Sequence, residues 1–250
     1  NDDDSLPYAL GHSEQELARL ERQAEIFSIE TRDWLHRAGL KAGMRVLDVG
    51  CGAGDVSMIA AEMVGSTGDV VGIDNAASAL PLATARAARA GYDWLRFEEA
   101  DLFQFAPAQK FDAVIGRFIL MHVPDAVGAL GRLRALLNDG AIVSFIEMDI
   151  SETSAVPPMP LLDQCISWIT RTYRRVGADP DMGRRLYPVF RASGLTPRLS
   201  GVTRIESGPN SVVYPFAAQT LLSLLPTMER VGIASSAEVG IETLADRLRA

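Results

Sequence analysis

The chain has 250 residues, 48% of them hydrophobic, and its 24 basic and 32 acidic residues give a formal net charge of −8. This length predicts one α/β domain or a core with a cap, and the acidic balance argues against nucleic acid as a partner because phosphates attract a basic surface. No apolar run approaches the ~20 residues that cross a membrane, so we expect no membrane partner. Two cysteines are too few for a disulfide scaffold or a zinc cluster, so we expect a cytoplasmic protein without a metal.

The first predicted element is a helix that precedes the core. Ser13 and Glu16 form a capping-box pattern, and apolar residues then recur at helical spacing as far as Phe27. We assign residues 1–40 to this N-terminal helical cap. The helix either folds over a ligand site or packs on the core without contacting a ligand, and its sequence leaves both roles open.

A glycine-rich loop follows the first predicted strand. The strand covers 44–49, and the loop Gly-Cys-Gly-Ala-Gly then leads into a helix over 56–64. Gly50, Gly52 and Gly54 let the backbone approach a ligand without intervening side chains, and the start of the helix presents unpaired N–H groups. This pattern predicts a small-molecule site at the loop.

The second predicted strand, 70–74, ends in Asp74, at the place where a ribose diol is commonly held in such folds. The glycines are spaced G-x-G-x-G rather than G-x-G-x-x-G, which weakens the case for a dinucleotide without excluding it. Asp48, near the end of the first strand, would repel a pyrophosphate but suits an ammonium or sulfonium group. The two strands together predict a site for a nucleoside-bearing small molecule.

The core continues as alternating strands and helices over residues 41–150. Further strands are predicted near 95–98, 111–116 and 141–147, with helices over 76–90 and 125–137. This alternation predicts a doubly wound parallel sheet with helices on both faces, and ligands bind outside the carboxyl ends of such strands. Five polar residues fall at those ends: Asp48, Asp74, Asp101, Arg117 and Glu147.

The last hundred residues carry added helices. A proline-rich linker at 157–160 precedes a helix that we assign, within 151–180, to an inserted lid. We assign 181–250 to the C-terminal part of the core, with a helix over 182–192, a sixth strand over 197–205 and two further helices. No seventh strand is evident: either Ser211-Val212-Val213-Tyr214 provides it, or the sequence stops short of it.

Motifs spread over about residues 40–150 make the chain resemble the class I S-adenosylmethionine-dependent methyltransferases of the small-molecule type. They are the glycine loop with Asp48, the acidic Asp74, Ala100-Asp101-Leu102, the fourth strand 111–115, the run Leu120-Met121-His122-Val123-Pro124-Asp125, and the turn Leu136-Leu137-Asn138-Asp139-Gly140. Many members have His where this chain has Met121. The resemblance implies a Rossmann-like, mostly parallel seven-stranded-type sheet with added helices as a lid, S-adenosylmethionine as cofactor, and a cap that folds over it.

The resemblance also implies roles for the residues at the strand ends. Asp48 and the three glycines would frame the amino-acid part of the cofactor, Asp74 would hold the ribose, and Arg117 would border the methionine part and the acceptor. The full set of predicted cofactor residues is Asp48, Gly50, Gly52, Gly54, Asp74, Asn75, Asp101, Leu102 and Arg117. Asn75 would lie beside the adenine or the ribose, whereas Asp101 and Leu102 belong to the adenine side of that set.

Glu147 and His122 are the candidates for acid–base chemistry. Glu147 ends an apolar strand, where a carboxylate must find a partner or contact a ligand. It could bind an amine, act as a base or stabilise a cation, whereas His122 either takes part in catalysis or makes a structural hydrogen bond before Pro124. An apolar acceptor pocket, or alternatively ordinary core, is predicted from Phe118, Met121, Met148 and Trp168.

These features predict methyl transfer to an O, N or C atom of a largely apolar small molecule, by a monomer or homodimer. One alternative is an NAD(P)-dependent oxidoreductase or epimerase, which would need a third glycine near position 57 and a Tyr-x-x-x-Lys pair; the sequence has neither. The other is a non-catalytic regulator that binds the cofactor on the same fold, and the sequence leaves it open.

Overall fold

The structure, a computed structural model, describes residues 14–249. Ser13, the predicted N-capping residue of the first helix, therefore lies outside the described residues. The first helix, α1, runs from Glu14 to Ala38. The core then consists of β1 (Arg45–Val49), α2 (Asp55–Val64), β2 (Asp69–Asp74), α3 (Leu80–Ala90), β3 (Leu95–Glu99), β4 (Phe111–Arg117), α4 (Ala126–Ala135) and β5 (Leu137–Ile146).

The five strands form one parallel sheet in the order β3-β2-β1-β4-β5. On β1, Val46 pairs with Val70 of β2 on one side and with Ala113 of β4 on the other. The strand order therefore reverses at β1, and open sheets bind ligands at this switch point, outside the carboxyl ends of the strands. The predicted doubly wound α/β fold is confirmed.

Helices cover both faces of the sheet because successive strand residues point to opposite sides. Val46 packs in a buried cluster with α2 and with Leu35 of α1, whereas Leu47 packs in a second cluster with Leu133 of α4. Both strand residues are fully buried. This two-sided burial explains why the strands read as near-continuous apolar runs.

Five helices follow the sheet: α5 (Pro160–Arg175), α6 (Met182–Ala192), α7 (Val213–Arg230), α8 (Ser236–Val239) and α9 (Ile241–Arg249). They share a third apolar cluster, in which Leu221, Leu224 and Met228 of α7 are fully buried. Helix α1 packs against α7, and the Arg22 side chain donates to Gln219 Oε1 at 2.8 Å. The N-terminal helix is thereby held between the sheet and the C-terminal helices.

The predicted sixth strand at 197–205 is wrong, since no strand lies in that part of the described chain. The segment is an extended loop in which Leu199, Val202 and Ile205 are 51%, 60% and 86% exposed, so neither face of it is buried as a strand of the sheet would be. The stretch 211–214 forms no hairpin either, because α7 begins at Val213.

Three predicted boundaries also change. The turn 138–140 does not end a helix but lies inside β5, where Leu137 pairs with Phe111 and the next pair joins Ile142 to Ala113. The turn is accommodated as an irregularity of the strand pairing. The helix expected over 76–90 begins at Leu80, and the last predicted helix divides at Gly240, which has a left-handed backbone with φ of 58°.

Candidate functional site

The loop between β1 and α2 lies at the switch point and depends on its glycines. Gly50 and Gly54 have φ values of 68° and 83°, a region that favours glycine. A Cβ atom on Gly50 would lie 2.6 Å from the Ile119 side chain, and one on Gly54 would lie 2.8 Å from the Phe97 ring. These two glycines are therefore required for the shape and packing of the loop.

Asp74, at the tip of β2, holds the same loop from the other side. Its Oδ2 accepts from the Gly52 N–H at 2.8 Å, and its Oδ1 accepts from the Ala76 N–H at 2.8 Å. Each carboxylate oxygen has a second lone pair. The half-buried Asp74 can thus hold the loop and still accept hydrogen bonds from a pair of ligand hydroxyls.

Asp48 supports the loop from beneath. The Ser57 hydroxyl donates to Asp48 Oδ2 at 2.6 Å, and the residue is 1% exposed. Burial raises the pKa of Asp48 to about 7, although the Ser57 hydrogen bond and the positive charge of Arg117 act in the opposite direction. Its role in this structure is to fix α2 to β1 rather than to face a ligand.

Arg117, at the tip of β4, brings a buried positive charge to the site. Its Nη1 donates to the Thr31 hydroxyl of α1 at 3.0 Å, and its Nη2 lies 4.0 Å from Asp55 Oδ2. Asp55 is also paired with Arg86 at 2.7 Å. Burial lowers the pKa of Arg117, and the nearby Asp55 partly restores it. Arg117 therefore ties the cap helix to the sheet.

A cavity of about 2220 Å³ opens at the carboxyl ends of β1, β2, β4 and β5. Ligand pockets commonly have volumes of ~300–1,000 Å³, so this cavity has room for two ligands. Ten of the predicted site residues line it: Gly50, Gly52, Asp74, Asn75, Arg117, Phe118, Met121, His122, Glu147 and Met148. The fold thus brings five of the nine predicted cofactor residues and both acid–base candidates to one cavity.

Five other predicted site residues do not line the cavity: Asp48, Gly54, Asp101, Leu102 and Trp168. Asp101 is exposed, and its Oδ1 accepts from the Phe103 N–H at 2.7 Å, whereas Leu102 packs against the apolar cluster on the α4 face. Trp168 is turned inward and is 9% exposed within the cluster of the C-terminal helices. Its placement in the acceptor pocket is corrected accordingly.

Helix α1 contributes to the cavity wall, as one of the two roles left open for it requires, but the residues that do so were not predicted. Residues of this helix that line it include Arg19, Gln23, Phe27, Glu30 and Trp34. Apolar spacing located the helix, but these five lining residues, polar and aromatic together, recur at positions three or four apart on the same face, which is the signal that was available. Arg19 and Gln23 are 4% and 8% exposed and share a 2.7 Å hydrogen bond.

Glu147 follows β5 and reaches across to the end of β4. Its Oε1 accepts from the Ile119 and Leu120 N–H groups at 2.9 and 2.7 Å, at the start of a single 3-10 turn. Oε2 is buried and has no hydrogen-bond partner among the described residues. Burial raises the pKa of Glu147 to about 8, although the backbone N–H groups act in the opposite direction.

His122 ends the same 3-10 turn and lines the same cavity. Its ring meets the Tyr173 ring edge-on, with centroids 5.7 Å apart. Burial, assisted by the charge of Arg19, lowers the pKa of His122 to about 3. The imidazole is therefore neutral at pH 7, and it binds a proton less readily than an ordinary histidine.

The raised pKa of Glu147 predicts a pH-dependent stability. The folded protein retains this proton to about pH 8, whereas the unfolded chain releases it near 4.5. Rising pH should therefore destabilise the protein relative to Glu147→Gln, by about 3–4 kcal/mol between about pH 5 and 8. Denaturant titrations of both proteins at several pH values measure this difference. The other titrating groups are the same in both proteins, so their contributions to the pH dependence cancel. Parallel stability curves would contradict the raised pKa.

Among the side chains that the structure describes, no group of three or more His, Cys, Asp or Glu residues is placed to hold a metal ion. Across the same residues, no helix has the length and apolar character needed to cross a membrane.

Comparison with known proteins identifies a family. A family model described as a methyltransferase domain matches residues 40–193. The 2-phytyl-1,4-naphthoquinone methyltransferase of Thermosynechococcus vestitus is 32% identical over 187 residues, which cover 73% of this chain and 79% of the relative. The aklanonic acid methyltransferase of Streptomyces sp. strain C5 is 42% identical over 105 residues, 41% of this chain and 47% of the relative.

The chain spans about half the length of several curated relatives that it matches. The match covers 47% of the naphthoquinone methyltransferases of two Synechococcus strains and 54% of the chloroplast enzyme of Arabidopsis thaliana. Among solved structures, a SAM-dependent methyltransferase from Aquifex aeolicus has a TM-score of 0.53 at 21% identity and covers 70% of this chain and 83% of its own. At 21% identity, this similarity shows a shared fold and no more.

Proposed function

This chain belongs to the methyltransferase-domain family, and from that premise we propose that it transfers the methyl group of S-adenosylmethionine to an O, N or C atom of a largely apolar small molecule. One observation carries the proposal. The glycine loop, Asp74 and the tips of β4 and β5 all face a single cavity that is large enough for a cofactor and an acceptor.

The residues present fit the cofactor. Asp74 has free lone pairs for the ribose hydroxyls, Asn75 lies beside it on the cavity wall, and Gly50 and Gly52 border the path toward Arg117. Asp101 and Leu102 lie outside the cavity, so the proposal does not rely on the adenine contacts that the resemblance implies for them. S-adenosylmethionine supplies the methyl group and the leaving group when it is bound.

The protein's own contribution is then to hold the acceptor in line, to exclude water and, where the acceptor requires it, to accept a proton. Glu147 is the better candidate for the proton, because a base is most effective when its pKa lies near the working pH and that of Glu147 is about 8. His122, with a pKa of about 3, would hold a proton only weakly. Phe118, Met121 and Met148 form the apolar wall beside them.

The names of the relatives support a small-molecule acceptor, since those proteins are described as methyltransferases of a phytyl naphthoquinone and of aklanonic acid. Two free, buried cysteines, Cys51 and Cys165, support a reducing, cytoplasmic setting. We further propose that the protein acts as a monomer or homodimer. We also propose that it acts without nucleic acid, and the net charge of −8 supports this second point.

The test is a methyl-transfer assay with methyl-labelled S-adenosylmethionine and a panel of small phenols, hydroquinones and carboxylic acids. We expect one acceptor class to take up the label, with S-adenosylhomocysteine released in equal amount. Binding of S-adenosylhomocysteine with no methyl transfer to any acceptor class would favour the alternative function, a non-catalytic regulator that binds the cofactor. The absence of both binding and transfer would contradict the proposal.

The cap helix gives a second prediction. Deletion of residues 1–24 removes Arg19 and Gln23 from the cavity wall but leaves Thr31, which holds Arg117, and the buried Leu35. We expect turnover to fall far more than the melting temperature if this segment closes the site. Deletion of residues 1–13 alone is the control, and an equal loss of turnover and stability on deletion of 1–24 would assign the segment to the core.

A further inference from the structure

Three phenylalanines from distant parts of the sequence meet on the cavity wall. Phe27 comes from α1, Phe118 follows β4 and Phe216 comes from α7. The Phe27 ring meets the Phe118 ring with centroids 5.2 Å apart and planes at 81°, and it meets the Phe216 ring at 6.1 Å and 73°. Both are the edge-to-face arrangement that aromatic rings prefer.

Phe118 is held in an uncommon backbone conformation. Its φ of 57° makes it the single non-glycine residue with a left-handed backbone among residues 14–249. The Phe118 N–H donates to the Ile146 carbonyl at 2.8 Å, and the next two N–H groups donate to Glu147 Oε1. These hydrogen bonds fix the chain on both sides of Phe118, so the ring is directed to Phe27 by the backbone.

Part of each ring residue's surface stays open, although the Arg117 guanidinium lies over the Phe118 ring at 5.7 Å from its centroid. All three residues are half-buried and line the cavity, whereas the core ring of Phe111 is 0% exposed. The remaining exposed surface of Phe27, Phe118 and Phe216 therefore faces the space in which an acceptor would bind.

We propose that Phe27, Phe118 and Phe216 form an aromatic clamp that selects acceptors with a planar aromatic ring. The inference rests on the proposed function and narrows its acceptor from an apolar small molecule to an aromatic one. A planar ring can meet the clamp by stacking or edge-to-face contact, which a puckered saturated ring of similar size cannot match. Because each ring comes from a different element, the clamp forms only when α1 and α7 are packed against the end of β4.

The test compares the binding of 1-naphthol and decahydro-1-naphthol, which share a skeleton and a hydroxyl group, by calorimetry in the presence of S-adenosylhomocysteine. We expect a preference of about fivefold or more for 1-naphthol, the scale of one or two aromatic contacts. The variants Phe27→Leu, Phe118→Leu and Phe216→Leu should each reduce that preference toward equality. Phe103→Leu is the matched control, because Phe103 is exposed and lies outside the cavity.

Phe216→Leu is the variant that we expect to disturb folding least, because position 216 lies in an ordinary helix. Circular dichroism checks the fold of every variant. Equal binding of the two probes by the unaltered protein, or a preference that survives all three substitutions, would overturn the clamp. So would the absence of binding by both probes while S-adenosylhomocysteine still binds, and that outcome leaves the proposed function standing. Failure of S-adenosylhomocysteine to bind would overturn the proposed function and the clamp together.

Discussion

Replacing Glu147 with glutamine is expected to lower turnover about 10²-fold or more, the usual scale for a general base, while cofactor affinity stays nearly unchanged. The amide oxygen of glutamine can still accept from the Ile119 and Leu120 N–H groups, so the 3-10 turn is retained. What is lost is the ability to exchange a proton near neutral pH, which the pKa of about 8 gives Glu147. Steady-state rates with labelled cofactor and calorimetry with S-adenosylhomocysteine measure the two quantities.

Two further variants separate the roles of this region. Glu147→Ala removes both the proton and the hydrogen bonds to the turn, so it should reduce stability as well as turnover, because two buried N–H groups lose their acceptor. His122→Ala should cost less turnover than Glu147→Gln. If Glu147→Gln retains full turnover while His122→Ala abolishes it at unchanged stability, the imidazole is the base and our assignment is wrong.

Replacing Asp74 with alanine is expected to weaken S-adenosylmethionine binding by about 1–3 kcal/mol, the scale of lost hydrogen bonds to a charged group. The loss has two sources. The ribose hydroxyls would lose their acceptor, and the Gly52 and Ala76 N–H groups that shape the loop would lose theirs. Calorimetric titration of the variant with S-adenosylmethionine and with S-adenosylhomocysteine measures the change.

Asp74→Asn is a milder change at the same position, because an amide oxygen can replace only one of the two carboxylate acceptors. We expect an affinity between those of the unaltered protein and Asp74→Ala. Asp139→Ala is the matched control, since Asp139 is an exposed carboxylate outside the cavity, and it should bind like the unaltered protein. Unchanged affinity in Asp74→Ala would place the ribose elsewhere.

The parallel core was predictable because its signals are local. The strands β1, β2 and β4 each contain an apolar run, and the loop after β1 carries glycines whose left-handed backbone can be anticipated from the residue type. Asp74 and Glu147 were found because a carboxylate at the end of a buried strand is conspicuous in the sequence. In both cases neighbouring residues contain the information that decides the structure.

The errors occurred where distant residues decide the structure. The loop at 197–205 has strand-like composition, yet Arg204 donates to the Ile26 carbonyl of α1 at 2.7 Å and pairs with Glu30. Helical spacing placed Trp168 on an apolar face, but only the packing of the C-terminal helices shows that its side chain lies in their cluster and does not line the cavity. No local pattern in the sequence predicts the contacts of Phe27 with Phe118 and Phe216 either.

The most direct test of the central claim is a calorimetric titration of the unaltered protein with S-adenosylhomocysteine, S-adenosylmethionine and NAD. We predict that both sulfur compounds bind with micromolar affinity or better, roughly −8 kcal/mol, and that NAD does not compete. Asp74 and the glycine loop on one cavity wall are the basis of that prediction. Tight binding of NAD without any response to S-adenosylmethionine would contradict it.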